Sequence, residues 1–161
     1  YKGIDILLKA VSMLPEKYRL VVVSNDSQEQ INNEIDKFKL TSRVKFYKGV
    51  KYQDLPKYYR SADVFCMPST DRGEAFGLVS VEAMACGTPV ITTELGTGTS
   101  YHNIDRVTGR VIEKNNPTQL KGAILEICNN KNTYNPRVVR NRAEDFSLDK
   151  FKENWSNLLK R

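Results

Sequence analysis

Glu74-Ala75-Phe76-Gly77-Leu78-Val79-Ser80-Val81-Glu82, continuing as Ala83-Met84-Ala85-Cys86-Gly87-Thr88-Pro89-Val90-Ile91, is the stretch from which the rest of the chain can be read. From Leu78 to Cys86 only Ser80 and Glu82 are polar. A helix apolar on nearly every side is expected to lie buried against a sheet. A carboxylate in that setting is costly unless something pairs with it. Gly77 permits a sharp turn and close approach to the backbone, and the free amides of the next turn suit an anion. Glu74 stands just before that turn, and Glu82 about one and a half turns into the helix. On spacing alone two readings stand level. One is a ligand site; the other is a core helix whose Glu82 snorkels or pairs with an internal Lys or Arg.

Outward from this stretch the chain alternates strands and helices. Ile4, Leu7, Leu8, Val11 and Leu14 have helical spacing, closed by Pro15. Tyr18 to Val23 is a short apolar run, expected of a strand covered on both faces. Ser24 to Ser27 makes a turn in which Asp26 or Ser27 can cap a polar helix over 28–38. Strands are expected at Val44–Tyr47, Val64–Met67 and Val90–Thr93, with a helix over Tyr52–Ser61 that carries Pro56 in its first turn. Gly96-Thr97-Gly98-Thr99-Ser100 reads equally as a sharp surface turn and as a ligand loop, since a third glycine is lacking. Val107–Val111 is expected to be hairpin-like or an edge strand, and Pro117–Cys128, Pro136–Phe146 and Leu148–Leu159 to be helices. The apolar face of Phe151, Trp155, Leu158 and Leu159 reads as ordinary packing. This alternation indicates an α/β domain with a parallel sheet, whose ligands bind outside the carboxyl ends of the strands. The Glu74 loop leaves one such end.

Composition narrows the function. At 161 residues the chain fits one domain with a sizeable core. No apolar run approaches the roughly 20 residues that span a bilayer, and the first residues do not form a signal peptide. Opening on Tyr1-Lys2-Gly3, which reads as the middle of a βα turn, the sequence is expected to be a piece of a longer protein. Cys66, Cys86 and Cys128 fit neither a disulfide framework nor a zinc pattern, so they read as buried thiols in a reducing cytosol. His102 is the only histidine, with no second ligand near it in sequence, and no metal site is expected. The net charge of +6 favours anionic partners. A sugar nucleotide or an anionic membrane surface satisfies it. Nucleic acid is not expected, because no recognition helix or aromatic-basic module is evident.

The stretch EAFGLVSVEAMACGTPVI resembles the signature of retaining glycosyltransferases of family 4, whose C-terminal domain binds the sugar nucleotide. That family has two glutamates with seven residues between them, then a Gly-x-Pro-Val entry into the next strand. Glu74 and Glu82 have that spacing, and Gly87-Thr88-Pro89-Val90 follows. The likeness extends more weakly over nearly the whole chain. It implies a Rossmann-like parallel sheet flanked by helices, the C-terminal half of a GT-B enzyme. Residues 1–161 would then be a single donor-binding domain, without its N-terminal acceptor domain.

By this resemblance Glu74 is the catalytic-site residue that hydrogen-bonds hydroxyls of the donor sugar. Amides near Phe76, Gly77, Leu78 and Val79 would hold sugar and diphosphate, as helix-end electrostatics independently favours. Glu82 would accept from the ribose hydroxyls, which accounts for a buried carboxylate that otherwise lacks a partner. Lys2 matches a lysine that neutralises the diphosphate, while the family's arginine a few residues earlier falls outside the sequence. Gly49-Val50-Lys51-Tyr52 matches the loop that meets the base, with Val50 and Lys51 contributing mainly backbone groups. Lys51 and Tyr52 side chains read equally as base contacts and as solvated loop residues. Arg72 reads equally as a partner of Glu74 and as a solvent-facing residue.

The resemblance further implies transfer from a UDP-, GDP- or ADP-sugar with retention, to a saccharide or lipid-linked acceptor, in cell-surface polysaccharide synthesis. No cofactor or metal is expected, and no Asp-x-Asp motif is present. The expected location is the cytoplasm, with the membrane's inner face compatible. A non-catalytic nucleotide-binding α/β module and a sugar-nucleotide epimerase of the same architecture are the alternatives. A receiver-type module would need an acidic cluster after its first strand, and a phosphorylase a pyridoxal lysine; neither is apparent.

Overall fold

The computed structural model describes residues 2–130 and 132–160; Tyr1 and Arg161, the ends of the expected domain, and Lys131 lie outside it. Five strands alternate with seven helices among the described residues: α1 (Ile4–Ser12), β1 (Leu20–Ser24), α2 (Gln28–Lys37), β2 (Val44–Lys48), α3 (Leu55–Ser61), β3 (Phe65–Met67), α4 (Leu78–Ala85), β4 (Val90–Glu94), β5 (Gly109–Glu113), α5 (Pro117–Asn129), α6 (Pro136–Glu144) and α7 (Leu148–Leu159). All strand pairs are parallel, so the expected α/β class holds. The strands form a pair, β1-β2, and a triplet ordered β3-β4-β5, rather than one continuous ladder.

Two apolar clusters flank the strands because alternate residues of a strand face opposite sides. Ile91 of β4 belongs to the cluster built with Leu7, Leu8 and Val11 of α1, Ile31 and Ile35 of α2, and Leu120, Ile124 and Ile127 of α5. Its neighbour Val90 belongs to the other, with Tyr59 of α3, Ala83 and Met84 of α4, and Val139 and Ala143 of α6. Thus β4 is the spine. A Cβ on Gly109 would stand 1.8 Å from the Val90 carbonyl oxygen, so β5 reaches this register only because position 109 lacks a side chain.

Several expectations change. Of the two readings of Val107–Val111, the edge strand holds, β5 pairing parallel with β4 at the end of the triplet. The Tyr52–Ser61 helix opens with a tight 3-10 turn over Tyr52–Asp54 before α3, with Pro56 in the first turn. Val21 is half-exposed, so β1 is not covered on both faces. Every residue of α7 is exposed, which overturns the packing reading; Phe151 and Trp155 stack on each other instead, rings 10° from parallel. The three cysteines are half-buried thiols, and burial pushes the Cys66 thiol up to about 12. No helix of the described residues is long and apolar enough to cross a membrane.

Candidate functional site

The site is assembled at the carboxyl end of β3. Gly3 caps α1 in a left-handed conformation, φ 70°, and a Cβ there would lie 2.0 Å from the Pro68 carbonyl oxygen. This close approach sets the chain entering α1 directly against the segment leaving β3. Lys2 therefore meets the loop that follows, and its Nζ donates to Glu74 Oε2 at 2.7 Å. The Glu74 side chain is 12% exposed, so the pair sits at a rim rather than in open solvent. Arg72 does not take Glu74; its guanidinium reaches toward the Gly96 carbonyl at 3.5 Å.

Gly77 caps α4 at φ 80°, with Met67 packed where a Cβ would be. The first bond of the helix runs from Ser80 N to Gly77 O at 2.9 Å, so the amides before Ser80 precede the helical ladder. The expectation of a helix buried all round fails at this end. Leu78 is 67% and Val79 38% exposed, whereas Ser80, Ala83 and Met84 are buried. Exposure there is what an amide-lined anion site requires, because the ligand must reach the backbone.

Glu82 is half-buried and has partners that the sequence reading lacked. Tyr59 Oη donates to its Oε2 at 3.0 Å and Tyr52 Oη to its Oε1 at 3.3 Å. Burial first, and then the Glu82 charge, raise the Tyr59 pKa well above its ordinary value. On exposed Tyr52 the rise comes from Glu82 itself. Both phenols are thus held as donors. Tyr59→Phe is expected to lower stability by about 1.5 kcal/mol, the lower end for a bond to a charged group. Urea unfolding with an unchanged denaturant slope checks this.

The glycine-threonine loop is not a free surface turn. It packs against the Glu74 segment: Thr97 Oγ1 donates to Glu74 O at 3.0 Å and Gly98 N to Ala75 O at 2.8 Å. Its far end is fixed by buried Asn103, whose Nδ2 donates to Thr92 Oγ1 and to Arg110 O across β4 and β5. His102 is fully buried beside it, Nδ1 3.0 Å from Gly98 O and Nε2 2.5 Å from Ser80 Oγ. Burial lowers its pKa; the bond to the Gly98 carbonyl opposes this and Arg142 adds to it.

The expected site residues are therefore not one constellation of side chains. Lys2 joins Glu74, Phe76 packs beside His102, and Glu82 joins two tyrosines. Val50 and Lys51 line an open cavity of about 640 Å³ with Lys48, Lys57 and Tyr58, off the glutamates. Among the described residues no three His, Cys, Asp or Glu side chains gather as metal ligands. The sequence reading gave Tyr59, Ser80 and His102 no role at the site and left Thr97 in a loop read two ways. The one histidine and the one serine of an apolar helix were the available signal.

This parallel α/β domain, with carboxylates and helix-end amides at its strand ends, has the fold of solved GT-B-type structures. Sucrose-phosphate synthase from Thermosynechococcus elongatus matches with a TM-score of 0.88 at 28% identity, covering 99% of this chain and 42% of that one. The chain belongs to the family Glycosyl transferases group 1, which matches residues 1–144. An uncharacterized glycosyltransferase of Methanocaldococcus jannaschii is 35% identical over 130 residues, covering 81% of this chain and 36% of that protein. The O-antigen chain mannosyltransferase C of Escherichia coli is 33% identical over 164 residues, covering 98% and 43%. Anabaena HepE, solved with UDP-glucose, shares the fold with a TM-score of 0.82 at 24% identity, covering 99% of this chain and 45% of that one. The chain spans less than half the length of these relatives.

Proposed function

We propose that residues 1–161 are the donor-binding domain of a retaining family 4 glycosyltransferase that uses a nucleoside diphosphate sugar. The observation that carries this reading is the Lys2–Glu74 ion pair beside the exposed first turn of α4. A cation, a carboxylate and free amides at the end of a parallel strand suit a ligand with a diphosphate and sugar hydroxyls. Lys2 exchanges Glu74 for the diphosphate, and Glu74 is released to accept from sugar hydroxyls. The amides of Phe76, Gly77, Leu78 and Val79 meet the phosphate and sugar oxygens. Glu82, held by Tyr59, takes the ribose hydroxyls in place of the longer Tyr52 contact. Val50 and Lys51 meet the base.

Catalysis in this reading rests on stabilising the departing nucleoside diphosphate with the Lys2 charge and the α4 dipole, without a metal. The acceptor, a saccharide or a lipid-linked saccharide, is bound by a second domain outside these residues. That agrees with matches covering less than half of each relative. The E. coli relative, an O-antigen chain mannosyltransferase, supports a role in cell-surface polysaccharide synthesis. Ligand-observed NMR against UDP-, GDP- and ADP-sugars tests the reading. One of the three is expected to show saturation transfer that the matching nucleoside diphosphate competes away. No transfer from any of them overturns the donor assignment.

A further inference from the structure

Ser80 and His102 are both fully buried, and no ligand role falls to either. Between them lies a contact of 2.5 Å, and Ser80 Oγ also stands 2.6 Å from Gly77 O. The Gly77 carbonyl belongs to the peptide whose other half is the Leu78 amide, in the first turn of α4. At the opposite ring nitrogen, His102 faces Gly98 O, while Gly98 N donates to Ala75 O. Thr97 then reaches Glu74 O. The segment from Glu74 to Gly77 is thus held directly at Glu74 and Ala75 by Thr97 and Gly98, and at Gly77 through the Ser80 hydroxyl that His102 meets.

The grip is itself anchored. Arg142 of α6 donates from Nε to His102 O at 3.1 Å and from its Nη2 to Tyr101 O at 2.7 Å. Asn103 ties the next residue to β4 and β5. Phe76 and Phe146 pack edgewise on each other and flank the imidazole, which excludes water from the contact. With the ring neutral and Nδ1–H donating to Gly98 O, the single Ser80 hydroxyl proton lies between two acceptors, His102 Nε2 and Gly77 O. The 97–102 loop and the Gly77 peptide therefore meet through the one Ser80 hydroxyl.

We propose that Ser80, Thr97 and His102 are positioning residues that fix the Glu74–Gly77 segment, and with it the Leu78 amide, in the geometry that receives the donor's diphosphate and sugar. This rests on the donor-site reading above. It assigns the glycine-threonine loop a supporting role with no ligand contact of its own.

The test uses the full-length protein, with whichever of UDP, GDP and ADP the wild type binds and with the parent nucleoside. Ser80→Ala and Thr97→Val are each expected to weaken the diphosphate about fivefold to tenfold. Affinity for the nucleoside, which does not reach the gripped segment, stays unchanged in NMR titration. His102→Gln, whose amide can still bond Ser80, keeps more diphosphate affinity than His102→Leu. A merely structural role predicts otherwise: equal weakening of both ligands, in step with melting temperature. That result, or unchanged diphosphate affinity in both Ser80→Ala and Thr97→Val, overturns the inference. Thr97 is only half-buried, so its variant keeps the test open if Ser80→Ala folds poorly. Should the wild type bind none of the three diphosphates, the donor reading fails, and this inference with it.

Discussion

Glu74→Ala is expected to lower turnover of the full-length protein by about a hundredfold or more, since its loss removes a group that positions the reacting sugar. Affinity for the bare nucleoside diphosphate should not fall. The Lys2–Glu74 pair gives the reason, because removing Glu74 takes away a carboxylate that competes with the phosphates for the lysine. Glu82→Ala should behave oppositely, weakening nucleotide and sugar nucleotide alike. A lost bond to a charged group is worth about 1.5–3 kcal/mol, or roughly tenfold to a hundredfold in affinity. Part of any stability change in Glu82→Ala comes from the Tyr59 hydroxyl it orphans. The double variant with Tyr59→Phe separates that contribution. Calorimetry at one salt concentration reads both ligands. If Glu74→Ala weakens the bare nucleotide as much as Glu82→Ala does, the division of roles between the two glutamates is wrong.

Gly109→Ala is the second large effect, and it needs no ligand. A methyl group there would stand 1.8 Å from Val90 O, 2.7 Å from Val90 C and 2.8 Å from Val90 N. All three atoms are backbone of the strand that both apolar clusters share, so no side-chain rotation relieves the overlap. The β4–β5 ladder must open or β5 must shift register. Either costs about 3 kcal/mol or more, at the upper end for overpacking. For a chain of this size that corresponds to a melting point lower by roughly 6–12 °C. Calorimetric melting of the purified domain checks it, and a change under about 2 °C would show that β5 is not held as described.

The α/β class and nearly every element were legible in the sequence, because apolar spacing alternates between the two periods all along the chain. The apolar character of α4 misled, however. Burial is decided by neighbours, and the loop before Leu78 and Val79 leaves that end uncovered. The Phe151–Trp155 face misled similarly, since periodicity reveals an apolar stripe but not whether anything covers it. At the site, Glu82 stood out as a carboxylate on an apolar helix, and Glu74 by its place before that helix and its spacing from Glu82. Their partners did not. Lys2 lies 72 positions from Glu74 and Tyr59 lies 23 from Glu82, separations over which local spacing carries no information. His102 was read only as a metal ligand without companions, because its bond to Ser80 exists only once α4 and the following loop are folded together.

The exposure of every α7 residue has a bearing on how the molecule comes apart. A helix of 12 residues has marginal stability by itself in water. Its support here is local: Ser147 Oγ capping Lys150 N, the Lys150–Glu153 pair and the stacked Phe151 and Trp155 rings. The helix–coil equilibrium of α7 is therefore uncoupled from the cooperative melting of the strands. Heat or denaturant is expected to unwind it first and gradually, read as a sloping helix signal in circular dichroism before the cooperative transition.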